Sequence, residues 1–489
     1  MSRNYLLKVI GLSTLPRCIT FVFTLISLPL MVRALGAQQY GVIVYLQSIC
    51  GLLELFVGLG VPAAAGRALA AARAANVSYR GAIVARWARL QMMSAVITLA
   101  PVTAVFFLTA FPPSSVPMPK AAICFMIGAL YAGVGGALVR SVLQAELSFH
   151  ALAVIDSVES IVRSCAWLII AFVLPTVLGL AIATFAASFS SLSVGGVLTL
   201  RAVRRTKAGV LTEPQDGIAQ GCLAMLRESF GFLILVTATR AYQTIPNIII
   251  GRVLGFEVNG ILGAFTKVVE IAALPFTIVG NALMVRAQEV KRLGMVGVRR
   301  YWDIVAHVAV PAFACASAIC LGAVLIANSL LPSEARAGSV FTILTPIIAL
   351  RSLSDLVAPA SDYVGGLRNR VIFLSAAAVL QAPAVWLAAT TGGVKLTACV
   401  LVISYAAIVI GYVFIALRVF FGSVRYTPPR EAFVALFVIF VSFIISSIAT
   451  QQPLARLALF GLCGLIGFVM IPRVRYVYLT GRFIQFDIV

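Results

Sequence analysis

The chain has 489 residues, of which 61% are hydrophobic and 11% charged, with a mean hydropathy of +1.06. A water-soluble domain carries about 25% charged residues, so this composition excludes a soluble globular protein. The 37 Lys and Arg against 16 Asp and Glu give a formal net charge of +21. Because these cations interrupt long apolar runs, they read as the loop-charge bias of a polytopic membrane protein and not as a nucleic-acid surface.

A spanning helix needs about 20 mostly apolar residues. Fourteen segments qualify, centred near residues 21, 51, 100, 131, 166, 188, 237, 270, 317, 350, 380, 407, 440 and 463. The first is too long and too poorly marked for a cleaved signal peptide and is expected to remain as the first span. The longest outer loop, 111–120, is short and proline-rich, and the largest inner loops are expected at 65–89 and 201–222. With the N-terminus in the cytoplasm, 25 cations fall on the inner side. Five fall on the outer side: Lys120, Arg252, Arg336, Lys395 and Arg456. That asymmetry predicts both termini in the cytoplasm.

The polar run Thr212 to Gly217 marks a seam between two halves, and an internal repeat supports it. Arg33-Ala-Leu-Gly36-Ala-Gln-Gln-Tyr-Gly41 recurs as Arg252-Val-Leu-Gly255-Phe-Glu-Val-Asn-Gly260, an offset of 219 that also relates Arg67 to Arg286. The first and second spans therefore correspond to the seventh and eighth. An even number of spans per half predicts copies with a shared orientation, related by an axis along the membrane normal. The expected architecture is all-α. An N-terminal lobe covers 1–212, a second lobe 213–430, and a helix pair with a cytoplasmic tail 431–489.

Ionisable groups inside spans are costly, about 2.5–3.5 kcal/mol each on insertion scales, and tend to face a bundle interior or a cavity. Three sets have a helical neighbour of opposite sign: Glu159 with Arg163, Lys267 with Glu270, and Arg351 with Asp355. Each can be a self-neutralising structural pair, and Glu270 and Asp355 are also candidates for ion coupling. Arg17 and Arg240 have no acid within a turn or two. Under the repeat, Arg240 maps one turn from Arg17, so both halves place an arginine at similar depth. Such a side chain requires water, an acid from another helix or an anionic ligand, and its planar fork suits phosphate oxygens. Glu54 lacks a nearby cation in sequence. It is a candidate for binding a proton or sodium ion, or a partner for Arg17. Arg33 and Arg252 precede the repeated Leu-Gly turns, where they anchor the interface or guard the outer mouth of a cavity.

Pro16, Pro29, Pro62, Pro246 and Pro275 are expected to break their helices. Tyr45, Tyr131, Tyr242 and Tyr405 read as core or interface residues more readily than as sugar platforms. The nine cysteines show no C-x-x-C spacing, and His150 and His307 lie far apart, so neither a metal site nor a cofactor is expected. Nucleophile-elbow, Walker and zinc motifs are missing.

The chain resembles the Wzx-type polysaccharide flippases of the multidrug/oligosaccharidyl-lipid/polysaccharide exporter superfamily. The resemblance rests on Leu28-Pro29-Leu30, Arg33-Ala34-Leu35-Gly36 and Tyr40-Gly41. It continues through Gly58-Leu59-Gly60, Gly66-Arg67 and Leu254-Gly255 with Gly260. It implies two six-helix lobes around a cationic cavity, walled by the first, second, seventh and eighth spans, in a bacterial inner membrane. The substrate implied is a polyprenyl-diphosphate-linked oligosaccharide, with a polysaccharide polymerase and chain-length proteins as possible partners beside the membrane lipids. Arg17, Arg240 and Lys267 are the matching cavity positions, with Arg33 at the outer end. The extra helix pair is shared with the lipid II flippases, where it forms part of a groove for the lipid tail.

Three functions follow for comparison. One is a flippase for an O-antigen, capsule or exopolysaccharide repeat unit. Another is a cation-coupled multidrug exporter, against which an arginine-bearing cavity argues. The third is a membrane polymerase or ligase, against which the short outer loops argue.

Overall fold

The protein was analysed as a computed structural model, which describes residues 3–74, 80–110, 119–206 except 147, 222–292, 322–331, 337–364 and 367–421, with isolated positions between 305 and 319. The helix pair expected at 431–489 lies outside the described residues, as does most of the span centred near 317. Among the described residues all regular structure is helical. The elements are α1 (Arg3–Gly58), α2 (Val61–Ala74), α3 (Arg80–Ala110), α4 (Lys120–Ala145), α5 (Phe149–Val173), α6 (Val177–Thr206), α7 (Cys222–Val253), α8 (Phe256–Arg292), α9 (Ala323–Leu330), α10 (Ala337–Leu344), α11 (Pro346–Val364) and α12 (Leu367–Phe421). Six described helices are long and apolar enough to cross a membrane, among them Ile26–Gly58, Lys120–Ala145 and Arg368–Ala416. In hydrocarbon the backbone must satisfy its own hydrogen bonds, which is why apolar runs of this length are helical.

The chain forms two compact units, Tyr5–Gly263 and Ala264–Val489 with Met1–Asn4. In the first, α4 lies along α6, α6 along α5, and α2 packs on α3, α4 and α7. Trp87 and Leu90 of α3 close over Val61, Ala64 and Ala65 of α2 and Leu138 of α4. In the second, α11 and α10 each pack on α12.

The repeat is visible in the backbone. Gly36 interrupts α1 at φ 75°, and its counterpart Gly255 separates α7 from α8 at φ 92°. Both need the left-handed region that glycine enters without a Cβ penalty. The other repeated glycine explains its own position by contact. A Cβ on Gly41 would run into the Phe256 carbonyl and lie 2.7 Å from the Gly260 amide nitrogen, and one on Gly260 would run into the Ala37 carbonyl. The two glycines are therefore each other's clearance, and small residues at such crossings let membrane helices approach closely.

Two expectations need correction. α2 reaches Ala74 and α3 starts at Arg80, so most of the expected inner loop 65–89 is helix. The breaks also fall at glycine and not at proline. Pro16 and Pro29 lie inside α1, whose one non-helical residue is Gly36, while Pro246 and Pro275 lie inside α7 and α8. Pro62 sits in the first turn of α2, where its missing N–H has no helical partner to lose.

Gly41→Val and Gly260→Val should each sharply lower the midpoint of thermal unfolding in detergent. Overpacking against side chains already costs about 1–3 kcal/mol, and here the clash is with backbone. Gly196→Ala, where a Cβ meets nothing within 4 Å, should leave the midpoint unchanged or raise it.

Candidate functional site

Residues 37–58 of α1 and the α7 helix run antiparallel, and a polar ladder joins them. Arg252 Nε donates to Tyr45 Oη at 2.9 Å. Three residues further along α1, Asn247 Nδ2 donates to Ser48 Oγ at 3.2 Å, and that hydroxyl donates to the Val44 carbonyl at 2.8 Å. At Gly51 the helices are close, with Thr244 Cγ2 3.0 Å from where a Cβ would stand. The last rung is an ion pair, Arg240 Nη2 to Glu54 Oε2 at 3.2 Å. At the other end, the start of α8 adds Asn259 Nδ2 donating to the Gly41 carbonyl at 2.9 Å, and Phe256 edge-on to Tyr45 with centroids 5.4 Å apart.

The Arg240 and Glu54 side chains retain 43% and 32% of their exposure. Pairs this open contribute about 1 kcal/mol or less. The contact thus neutralises two charges without locking them. At 1.5 Å per residue, Glu54 stands about 27 Å along its helix from Gly36, and Arg240 about 20 Å from the end of α7.

One turn after Glu54 the helix stops. Leu59 (φ 45°) and Gly60 (φ 72°) both adopt left-handed backbone between α1 and α2. The Val57 carbonyl beside this break accepts from Gln91 Nε2 at 2.9 Å and Ser94 Oγ at 2.8 Å, both on α3. A Cβ on Gly60 would run into the Ser229 carbonyl and lie 2.9 Å from the Leu233 amide nitrogen, so α7 also braces the break. Helices α3 and α7 thereby hold the backbone one turn beyond Glu54.

The remaining expected residues fall in separate places. Arg17 lies on α1, but its side chain falls outside the described residues. Arg33 is exposed, as is its repeat partner Arg252. Lys267 donates to Glu270 Oε2 at 2.8 Å, the expected helical pair. Asp355 Oδ2 accepts from Thr277 Oγ1 at 2.6 Å. Arg351 hydrogen-bonds Tyr405 with the charges of Glu270 and Asp355 close by, a joint arrangement of α8, α11 and α12 within the second unit. Arg163 pairs with Glu159 as spaced. Among the described residues no group of His, Cys, Asp and Glu could hold a metal ion.

One cluster was not legible. Arg140 on α4, counted in the sequence as a loop cation, joins three helices. Its Nε meets Asp156 Oδ1 at 2.9 Å, and its Nη2 meets Glu159 and Ser191 Oγ, the latter at 3.0 Å. The available signal was Asp156 and Glu159 three apart on α5, one turn before Arg163.

Comparison with known proteins now bears on these helices. A family model described as "Polysaccharide biosynthesis protein" matches residues 6–286, more than half of the chain. The chain belongs to that family. By sequence, no curated protein matches it. Among solved structures, an inward-facing multidrug resistance MATE family transporter of the MOP superfamily superposes with a TM-score of 0.64 at 15% identity, covering 81% of this chain and 94% of that one. The lipid II flippase MurJ in an inward closed conformation gives 0.63 at 11%, covering 97% and 100%. The Vibrio cholerae MATE transporter VcmN gives 0.57 at 14%, covering 85% and 97%. This polysaccharide biosynthesis family member therefore shares the fold of these transporters and of the lipid II flippase, with six described helices long and apolar enough to cross a membrane. The solved structures it resembles are transporters and a flippase.

Arg140→Met should destabilise the protein by about 1–2 kcal/mol, because it takes the cation from Asp156 and a partner from the Ser191 hydroxyl and leaves Glu159 with the Arg163 cation alone. Arg163→Met removes a cation that is itself 42% exposed and should cost less than about 1 kcal/mol. Thermal unfolding of the two variants in the same detergent measures the difference, and equal effects would refute the central place given to Arg140.

Proposed function

We propose that the protein is a flippase that carries a polyprenyl-diphosphate-linked oligosaccharide repeat unit from the cytoplasmic to the outer leaflet of the inner membrane. The supporting observation is Arg240: a half-exposed guanidinium well along a spanning helix, on the ladder that joins α1 to α7. Its planar fork can take two phosphate oxygens at once. With both termini cytoplasmic, its place about 20 Å from the end of α7 puts it in the inner half of a hydrocarbon core about 30 Å thick, where a lipid-linked substrate enters from the cytoplasmic leaflet. Arg17, one turn from the repeat-equivalent position, is assigned to the same anion.

Alternating access by two six-helix lobes, 1–212 and 213–430, moves the headgroup while the lipid tail stays in the bilayer. Arg33 and Arg252 are assigned to the outer end of the path. Lys267 stays with Glu270. Glu270 and Asp355 are assigned to ion coupling: their carboxylates accept from Lys267 and Thr277 respectively and lie close to Arg351, so charge gained or lost at one is felt by the others. Glu54, facing Arg240, belongs to the anion site. The family match and the MurJ-like fold support a lipid-linked substrate, and the arginine disfavours a cationic drug.

In a strain whose surface polysaccharide depends on this protein, Arg240→Ala should abolish export while the protein accumulates normally. Arg240→Lys should restore only part of it, because an ammonium lacks the fork. Normal polysaccharide with Arg240→Ala would refute the assignment. The topology is tested separately: alkaline phosphatase fused after Lys395 should be active and fused after Thr212 inactive, and the reverse pattern would invert the protein in the membrane.

A further inference from the structure

Arg240 is already in contact with an anion of the protein's own, and that contact has consequences for any anion arriving from outside. The Glu54 carboxylate faces the same terminal nitrogen a phosphate would use. It is the same chemical class of partner, a planar pair of oxygens carrying negative charge. The chain breaks one turn beyond it at Leu59 and Gly60, where Gln91 and Ser94 hold the Val57 carbonyl and the Ser229 backbone leaves no room for a side chain on Gly60. Arg240 is tethered from its own side through helix backbone, with Thr244 Oγ1 donating to its carbonyl at 2.7 Å. The two groups sit on different helices, and both remain partly exposed. The pair can therefore open by side-chain rotation alone, with neither helix unwinding.

We infer that Glu54 is the release group of this site, an internal carboxylate that exchanges with the substrate's diphosphate on Arg240. Binding proceeds by displacement of Glu54 from the guanidinium, and unloading proceeds by its return. A carrier benefits from this because passage depends on binding weak enough to leave, and a carboxylate that competes for the guanidinium lowers its hold on a diphosphate. The cost of opening an exposed ion pair is small, so the exchange trims affinity without abolishing it. The inference rests on the reading of Arg240 as the anion-binding residue. It differs from ion coupling in that Glu54 acts on the substrate's affinity directly and no cation is carried.

The test uses the full chain in nanodiscs with geranylgeranyl diphosphate as the probe, measuring its dissociation constant and off-rate, alongside export in cells. Glu54→Gln should bind the probe more tightly, by up to about fivefold, with the gain in a slower off-rate, while export falls. Glu54→Asp should stay close to the parent in both. Unchanged or weaker binding by Glu54→Gln overturns the exchange. In the double variant Glu54→Gln/Arg240→Ala the tightening should vanish, and tightening that persists there also overturns it, since removal of any negative charge would then suffice. Arg240→Ala alone separates the two levels. Loss of probe binding by tenfold or more upholds the anion site whatever Glu54 does, whereas parent-like binding refutes that site and the exchange with it.

Discussion

No side chain fits between the backbones of residues 37–41 and 256–260. At that crossing the two copies of the repeat meet through amides and carbonyls, with Asn259 reaching across to the Gly41 carbonyl. Helix separation here fixes how far every neighbouring side chain must reach. Tyr45, Ser48 and Glu54 are spaced three or six residues apart, and each finds a partner on α7 at hydrogen-bond or ion-pair distance. A methyl group at Gly41 would push the helices apart, and the short contacts at Ser48 and Gly51 would be lost before the longer reach of Arg240 was exhausted. Because lipid is as apolar as leucine, membrane helices gain little from burying apolar faces and depend on close packing of this kind.

Close packing also settles where charge can be kept. Among the described residues, Glu54, Glu159, Glu270 and Asp355 each have a named donor from a side chain. The pairs differ in what their geometry permits. Glu159 is held between two arginines, so it ties α4 and α5 together and leaves little room for exchange. Glu54 meets one arginine across two helices, and both stay within reach of a ligand. The first arrangement is suited to holding and the second to letting go, although the residue types are the same.

The sequence carried the repeat, because Gly36 and Gly255 answer to a backbone requirement that no other residue meets cheaply and so repeat as letters. It also carried the pairs three and four apart, since helical periodicity alone brings Lys267 to Glu270 and Arg163 to Glu159. It could not carry the Glu54–Arg240 contact, whose members are almost two hundred residues apart and whose adjacency depends on the glycine crossing. Arg140 was misread for a related reason: its closeness to a predicted loop made it a topology signal, and only the packing of α4 on α5 and α6 turns it inward. The arginines of 67–89 disguised α2 as a loop, since a charged helix at the membrane surface has the hydropathy of a connection. Prolines misled in the opposite direction. The long helices absorb them, and the real discontinuities lie at residues with positive φ.

The repeat is most informative where its copies diverge. By the 219-residue offset, Gly58, Leu59 and Gly60 correspond to Thr277, Ile278 and Val279. In the first copy the chain breaks there, with a leucine held at φ 45°, a conformation that persists only where the surroundings impose it; Gln91, Ser94 and Ser229 supply that constraint. In the second copy α8 runs on without interruption, and Thr277 gives its hydroxyl to Asp355. Ancestrally equivalent positions have thus become a backbone break in one copy and a polar side-chain contact in the other. Divergence at this position places the break one turn beyond Glu54, which faces Arg240, in one unit, while the uninterrupted helix presents Thr277 to Asp355 in the other.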